Sequence, residues 1–225
     1  MSGHFFHERM YMAIVTFSRQ LGSGGDIIAS KVAKELGYDL INSNLIVQIA
    51  EEAGVSVEYA KSLDERSESR AMAWLKSWMI PHTEKFLLEK GKHLDEVSYL
   101  NPEGYAEYVK SILLGLAEKG NIVIVGRGGQ FILKDRGNAF HIHIIAEMES
   151  RVQWLCENYN FSKTEARNEI KKSDTTRRNY ICRFFHADLD DPLAYHIVIN
   201  TSIMGINLAT DIINDAAKKF SASHE

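Results

Sequence analysis

The stretch IVTFSRQLGSGGDIIASKVA, residues 14–33, decides the fold of this chain. Its first apolar residues predict a strand, its glycine-rich centre predicts a turn, and the apolar spacing from Ile27 onward predicts a helix. A glycine-rich turn between a strand and a helix lets backbone N–H groups surround an anion, and the helix N-terminus adds partial positive charge. We therefore expect a phosphate cradle made of Gly22, Ser23, Gly24, Gly25 and Asp26.

The cradle lacks two groups that usually complete a phosphate-binding loop. In the P-loop pattern, a Lys after the last glycine reaches the terminal phosphates, and a Ser or Thr hydroxyl holds Mg²⁺. This chain has Gly25, Asp26 and Ile27 in that stretch. Arg19, beside the loop, could replace part of the missing lysine charge. The loop thus indicates a phosphate-bearing ligand, and a turn that merely connects strand to helix remains the alternative.

Bulk composition limits the class of protein and of partner. With 225 residues, 45% of them hydrophobic and 25% charged, the chain is typical of one globular domain with a helical subdomain. The formal net charge of −4 gives no electrostatic footprint for a nucleic-acid polymer, so an anion site must be a local arginine cluster. The two cysteines, Cys156 and Cys182, fit no metal-ligand spacing and are expected to be core thiols in a reducing cytoplasm.

Alternating strand and helix patterns predict a parallel sheet covered on both faces. Short apolar runs at 13–17, 38–42, 122–125, 140–146 and 196–200 are separated by segments of helical period. Ligands of such sheets lie beyond the carboxyl ends of the strands, where residues 22–25, 42–44, 126–129 and 201–202 fall.

We expect four parts along the chain: an arm at 1–12, a domain at 13–220, and a tail at 221–225, with a helical insert at 58–102 inside the domain. The insert interrupts the alternation and carries tryptophans and methionines that are expected in a core. The arm does not have the pattern of a secretion signal, and no apolar stretch is long enough to span a bilayer. We therefore predict no membrane association and a cytoplasmic location.

Two arginine-bearing segments are candidates for binding anions. A buried strand delivers Arg127 between Gly126 and Gly128, and arginine grips phosphate through several planar donors. Farther on, helical spacing would place Asp174 on one face with Arg177 and Arg178. An ordinary ion pair at Arg127 and a solvated charged face at 174–183 are the structural alternatives.

Two further patterns carry weaker predictions. His141 and His143 share one face of a predicted strand, but no third ligand is spaced to complete a metal site, so we predict none. The residues that end the last strand, at 200–202, either cap the next helix or contact a base.

Four motifs, in this order, resemble the cytidylate kinase-like family of P-loop proteins. They are SRQLGSGG at 18–25, IVGRGGQFIL at 124–133, DxxRRxY at 174–180 and DDPxxYxIVINT at 190–201. The resemblance covers residues 13–219. It implies an α/β, three-layer nucleoside monophosphate kinase fold: a five-stranded parallel sheet with helices on both faces, a monophosphate-binding helical insert at 58–102 and an arginine-bearing lid at 160–190.

The resemblance also implies an activity and a set of roles. It implies ATP-dependent transfer of the γ-phosphoryl group to CMP, dCMP or a related small acceptor, with Mg²⁺ accompanying the nucleotide. The acceptor would be bound by Arg127, Asp174 and Arg177. Beyond the resemblance, we expect the catalytic side chains to be Arg19 beside the loop and Arg177 and Arg178 from the lid. Asp26 could be an outer-shell partner of the metal.

This sequence departs from the cytidylate kinase pattern on both sides of the reaction. Gly25, Ile27 and Val125 stand where the family has Lys, Thr and Asp, and Gly128, Gln48 and Asn42 stand where Asp, Arg and Asp are usual. Two other functions therefore stay open: a non-catalytic nucleotide sensor with a degenerate P-loop, and a kinase of another small metabolite.

Overall fold

A five-stranded parallel sheet forms the centre of the computed structural model, which describes residues 13–42 and 102–223. Its strands lie in the order β2-β3-β1-β4-β5, and every neighbouring pair is parallel. The strands are β1 (Ile14–Arg19), β2 (Asp39–Ile41), β3 (Ile122–Val125), β4 (Ala139–Ile145) and β5 (Ile197–Asn200). The predicted parallel sheet is confirmed, and it has this form because its three central strands, β3, β1 and β4, are mainly apolar and buried.

Helices cover both faces of the sheet. They are α1 (Gly25–Leu36), α2 (Pro102–Lys119), α3 (Gly129–Ile132), α4 (Met148–Tyr159), α5 (Lys163–Phe185), α6 (Thr201–Met204) and α7 (Ile206–Ala222). A short 3₁₀ turn lies at Pro192–Ala194. On one face, α1 and α7 pack against an aliphatic core that includes Val15 and Ile142. On the other, α2 and α3 contact β3 and β1. The helical period at 43–53 predicts a further helix, which lies outside the described residues, as do residues 58–101 of the predicted insert. Pro102, the last residue of that insert, begins α2.

The sheet topology brings the candidate segments to one edge. Since all strands are parallel, the loops after β1, β3 and β5 leave from the same carboxyl edge. Residues 22–24 and 126–128 lie in the loops after β1 and β3, Thr201 and Ser202 begin α6 directly after β5, and Asn42 directly follows β2. The predicted segments therefore lie at this edge. Register fixes their proximity, because Phe17 of β1 is opposite Val125 of β3 and Arg19 is opposite Ile144 of β4.

Helix α5 is longer than its sequence pattern indicated. The helical period predicts a helix over 163–172, but the structure continues it to Phe185 through the arginine-rich segment. It begins with a capping box, in which the Ser162 hydroxyl accepts from the Glu165 N–H and the Glu165 carboxylate accepts from the Ser162 N–H. It ends at Phe185, and the residue that caps it, His186, has a left-handed backbone (φ 51°).

The environment of the cysteines differs from the prediction. Cys156 on α4 is partly buried, whereas Cys182 on α5 is exposed, so the expectation of two core thiols is wrong for Cys182. The reason is that Cys182 lies on the outer face of a helix whose buried positions include Asp174 and Ile181.

Helices long and apolar enough to cross a membrane are absent from the part of the chain that the structure describes.

Candidate active site

The glycine-rich loop after β1 has the backbone of an anion cradle. Gly22 (φ 80°) and Gly24 (φ 74°) are left-handed, a conformation that disfavours any other residue. A side chain at Gly22 would also collide with the α4 backbone, since its Cβ would lie 2.8 Å from the Arg151 carbonyl oxygen. No side chain within the described ranges caps the N-terminus of α1. The first-turn N–H groups of this 12-residue helix therefore offer donors for an anion.

Side-chain hydrogen bonds hold the loop in place. The Ser23 hydroxyl donates to the Gln20 carbonyl (2.7 Å), and the Gln20 side-chain oxygen accepts from the Ala146 N–H (2.9 Å). The Thr201 hydroxyl donates to the Ser23 carbonyl (2.8 Å), which ties the loop to the end of β5. These bonds fix the cradle against two neighbouring strands.

The polar end of β5 is engaged within the fold. The Asn200 side chain accepts from the Ser202 N–H (3.0 Å) and so caps α6. The Ser202 hydroxyl accepts from the Glu147 N–H at 2.8 Å. In this structure Asn200 thus has the first of its two predicted roles, the capping of a helix.

Arg19 lies along the loop. Its Nε donates to the Asp26 carboxylate at 3.0 Å, and its Nη1 would be 3.3 Å from a Cβ placed on Gly126. A Cβ on Gly25 would lie only 2.5 Å from the Arg19 Cβ and 2.9 Å from its Cγ. Thus the Arg19 side chain passes over Gly25 and extends toward the loop after β3.

Arg177 presents an incompletely neutralised guanidinium to the same region. Burial, and next the positive charge of Arg19, lowers the pKa of Arg177 to about 10. Its Nη1 reaches the Asp174 carboxylate only at 3.5 Å. Its Nη2 is buried and has no hydrogen-bond partner among the described residues. The positive charges of Arg19 and Arg177 repel each other, so an anion bound between them would be stabilised by both.

The structure does not keep Asp174, Arg177 and Arg178 of α5 together as one hydrogen-bonded group. Asp174 is buried, and both of its oxygens accept from Arg151, at 2.8 and 2.9 Å. Arg178 does not share this carboxylate as a hydrogen-bond partner, because its Nε donates to Asp190 beyond the helix at 2.7 Å. Arg177 is therefore the arginine of the pair that contacts Asp174. Arg151 was not predicted: it belongs to no motif, and only the packing of α4 on α5 brings it to Asp174.

Arg127 has an unusual backbone. It lies at φ 55° between Gly126 (φ 78°) and Gly128 (φ 71°), so three consecutive residues are left-handed. A non-glycine residue in this region costs about 1 kcal/mol or more, and such cost concentrates at functional sites. A side chain at Gly128 would collide with the Phe185 ring. The loop thus places Arg127 at the carboxyl end of β3, between the Arg19 side chain and the end of α5.

The paired histidines form part of a neutral polar layer under this edge. His141 Nδ1 and the Thr16 hydroxyl are hydrogen-bonded at 2.8 Å, and the His143 ring stacks on Tyr195 with centroids 4.6 Å apart. Burial, followed by the charge of Arg177, lowers the pKa of His143 to about 4. Burial and the neighbouring His196 lower the pKa of His141 to about 4. Nowhere in 13–42 or 102–223 do three His, Cys, Asp or Glu side chains cluster to hold a metal ion.

These buried imidazoles predict a loss of stability in mild acid. Between pH 6.5 and 4 the unfolded chain binds protons that the folded His141 and His143 refuse, so the free energy of unfolding falls as pH falls through this window. We expect a loss of about 2 kcal/mol per imidazole by pH 5. Urea unfolding at pH 7 and pH 5 measures this loss.

A His143→Gln variant should lose less stability over the same interval than the original chain. His186→Asn removes an exposed imidazole from a left-handed position that Asn tolerates, and it serves as the control. Equal pH dependence in the original chain and His143→Gln would contradict the prediction.

Comparison with known proteins agrees with this architecture. Residues 14–203 match the Cytidylate kinase-like family. The cytidylate kinase of Ignicoccus hospitalis is 23% identical over 90% of this chain and 97% of its own length. That of Pyrobaculum islandicum is 23% identical over 91% of this chain and 92% of its own length.

A solved structure shows the same fold. The crystal structure of an uncharacterized protein from Eubacterium ventriosum superposes with a TM-score of 0.63 at 20% identity, covering 92% of this chain and 98% of that one. The predicted fold and family are confirmed, and the predicted class of enzyme, a phosphotransferase, is supported by the family. The chain belongs to the cytidylate kinase-like family.

Proposed function

We propose that this protein transfers the γ-phosphoryl group of ATP to a nucleoside monophosphate, with CMP or dCMP as the first candidate acceptor. The observation that supports this most is the buried guanidinium of Arg177, whose charge the nearby Arg19 disfavours, together with a helix N-terminus that no described side chain caps. Phosphoryl transfer depends on positioning and on neutralising charge, and these groups supply both without covalent participation by the protein.

On the donor side, the backbone of residues 22–25 would cradle the phosphates of ATP. Arg19 would supply the charge that a lysine at Gly25 would otherwise provide, because its side chain occupies the space above that glycine. Arg177 would stabilise the charge that develops on the transferred group. Arg178 would contribute directly only after releasing Asp190, to which it is now bound.

On the acceptor side, Arg127 would hold the monophosphate together with Arg177. Arginine suits this task because its planar fork of donors matches phosphate oxygens. The left-handed backbone at Arg127 supports such a role, since the fold maintains an unfavourable conformation there. Asp174 would act on the acceptor through Arg177, as its own oxygens are bound to Arg151.

The described residues provide little for direct coordination of Mg²⁺. Gly25 and Ile27 carry no side-chain oxygen, and the Asp26 carboxylate is bound to Arg19, although its side chain is 66% exposed. Asp26 fits an outer-shell position. The metal would neutralise phosphate charge while held by the nucleotide and water.

A second candidate is a nucleotide-binding sensor without transferase activity. The absence of an ammonium at Gly25 and of a hydroxyl at Ile27 favours it. The arginines around the loop favour transfer, because a passive binder needs fewer cations near the phosphates. A kinase of another small metabolite is the third candidate, with residues 58–102 shaping its acceptor pocket.

The first experiment measures ADP formed from ATP, Mg²⁺ and each common nucleoside monophosphate by purified protein. We expect turnover with CMP or dCMP, and loss of that turnover in Arg127→Ala. Arg136→Ala is the matched control, since Arg136 pairs with Glu118 just before β4, at the opposite edge of the sheet. Silence across the panel, with ATP still raising the unfolding temperature, would reject the kinase for these acceptors and favour the sensor.

A further inference from the structure

A buried arginine outside the predicted site connects the phosphate cradle to Arg177. Arg151 on α4 is only 3% exposed. Its Nε donates to the Leu21 carbonyl at 2.7 Å, directly before Gly22 of the cradle. Its Nη1 and Nη2 donate to the two oxygens of Asp174 at 2.9 and 2.8 Å. One guanidinium thus grips the loop with one side and α5 with the other.

Asp174 extends this connection to Arg177. Its Oδ1, which accepts from Arg151, also lies 3.5 Å from Arg177 Nη1. The other terminal nitrogen of Arg177, Nη2, has no partner within the described part of the chain. A continuous chain of contacts therefore runs from the backbone of the cradle, through Arg151 and Asp174, to the guanidinium that would face the phosphates.

Stability alone is a weak explanation for this arrangement. Burying an ion pair costs desolvation that its attraction barely offsets, and apolar pairs of similar volume are often as stable. Removing only one partner is harmful, because it leaves a buried charge. A bidentate fork with a third donor on a loop carbonyl specifies geometry, which a hydrophobic contact would leave looser.

We propose that Arg151 is a positioning residue that couples occupation of the cradle to the placement of Arg177. It sets the Leu21 carbonyl, and with it the entry to the glycine-rich loop, and it orients the carboxylate that holds Arg177 Nη1. The inference rests on the proposed function, because it assumes that the cradle binds the phosphates of ATP.

The test is a double-mutant cycle with two readouts, affinity for MgATP by calorimetry and steady-state kcat and KM with the best acceptor. Arg151→Lys keeps the charge but cannot form the fork and the Leu21 bond together. Arg151→Met/Asp174→Leu removes the pair, and together with Arg177→Ala it also removes the buried cation that Asp174 contacts. Each is combined with Arg177→Ala, and Arg167→Ala, an exposed α5 arginine paired with Glu149, is the control.

Positioning predicts that Arg151→Lys lowers kcat about 10- to 100-fold, while the unfolding temperature changes by only a few degrees. It also predicts that Arg177→Ala lowers MgATP affinity or kcat in the original chain. In the Arg151→Lys chain, and in the Arg151→Met/Asp174→Leu chain, the same substitution should have less than a third of that effect. Arg167→Ala should combine additively with both.

Additive effects of Arg151→Lys and Arg177→Ala on both readouts would overturn the inference, as would unchanged kcat and affinity in Arg151→Lys. If Arg151→Met/Asp174→Leu does not fold, the cycle of Arg151→Lys with Arg177→Ala still tests the inference. The two proposals fail separately: absence of turnover in the original chain rejects the proposed function, whereas the cycle on MgATP affinity still tests the coupling.

Discussion

Replacing Arg177 with alanine should lower kcat/KM about 10³-fold, without loss of stability. Removing one preorganised donor for the transferred group costs two to three orders of magnitude in rate, and arginines at phosphoryl groups reach the upper end. Most truncations of a buried side chain lower the free energy of unfolding, whereas this one should not. Arg177 is buried near Arg19, and this lowers its pKa to about 10, so its removal relieves repulsion and a desolvation cost.

The measurement pairs steady-state kinetics with thermal unfolding. Arg177→Lys keeps a charge but loses the planar fork, and we expect it to recover about a tenth of the lost rate at most. Arg167→Ala, ten residues earlier on the same helix, should leave both readouts near those of the original chain. A large fall in unfolding temperature for Arg177→Ala would show that its role is structural, and unchanged kinetics would remove it from the site.

The pH profile separates Arg177 from the histidines beneath it. With a pKa near 10, Arg177 stays charged throughout the neutral range, so a change of activity between pH 6 and 8 cannot come from its titration. His143, with a pKa near 4, is neutral over the same range. The cationic character of the site is therefore constant at neutral pH.

The sheet was predictable because its signals are local. Buried strands in a parallel sheet appear as short apolar runs, and each loop that binds a ligand follows such a run. The loop at Gly22 and the segment at Arg127 were found this way. The ends of helices were harder to predict. The Ser162–Glu165 capping box marks the start of α5, but the polar sequence of this helix gives no sign that it continues to Phe185.

The contacts that organise the site were not predictable, because they join distant residues. Nothing near Arg151 in the sequence indicates that its guanidinium is buried. Nor does anything there indicate that it donates to the carboxylate of Asp174, 23 positions later. Likewise, Arg178 and Arg177 have equivalent helical spacing from Asp174, and only Asp190 beyond the helix draws Arg178 away. Which arginine of a cluster faces a ligand is decided by packing rather than by spacing.

Gly25 is the position where restoring a missing lysine should fail. Its backbone φ is not left-handed, so any residue could adopt its conformation. The main obstacle is Arg19, whose Cβ and Cγ would lie 2.5 and 2.9 Å from a Cβ at position 25, while the Ile144 Cβ would lie 3.3 Å from it. We expect Gly25→Lys alone to destabilise the fold by about 1 to 3 kcal/mol through overpacking and to reduce activity further.

Arg19 and a side chain at position 25 are thus alternatives for the same space. Arg19→Gly should lower kcat/KM about 10²- to 10³-fold, because the charge over the cradle is lost. The double variant Arg19→Gly/Gly25→Lys should recover a substantial part of that loss, since the lysine then has both the room and the position to reach the phosphates. Steady-state kinetics of the three variants measures this.

A stability cycle with alanine tests the steric argument without reference to activity. In the original chain, Gly25→Ala should lower the free energy of unfolding by about 1 to 3 kcal/mol. In an Arg19→Ala background the cost should persist, because alanine keeps the Cβ that lies 2.5 Å from the new methyl group. In an Arg19→Gly background most of this cost should disappear, leaving the approach of the new methyl group to the Ile144 Cβ at 3.3 Å. Equal costs in all three backgrounds would show that Arg19 does not determine the glycine at this position, and the exchange of lysine for Arg19 would lose its structural basis.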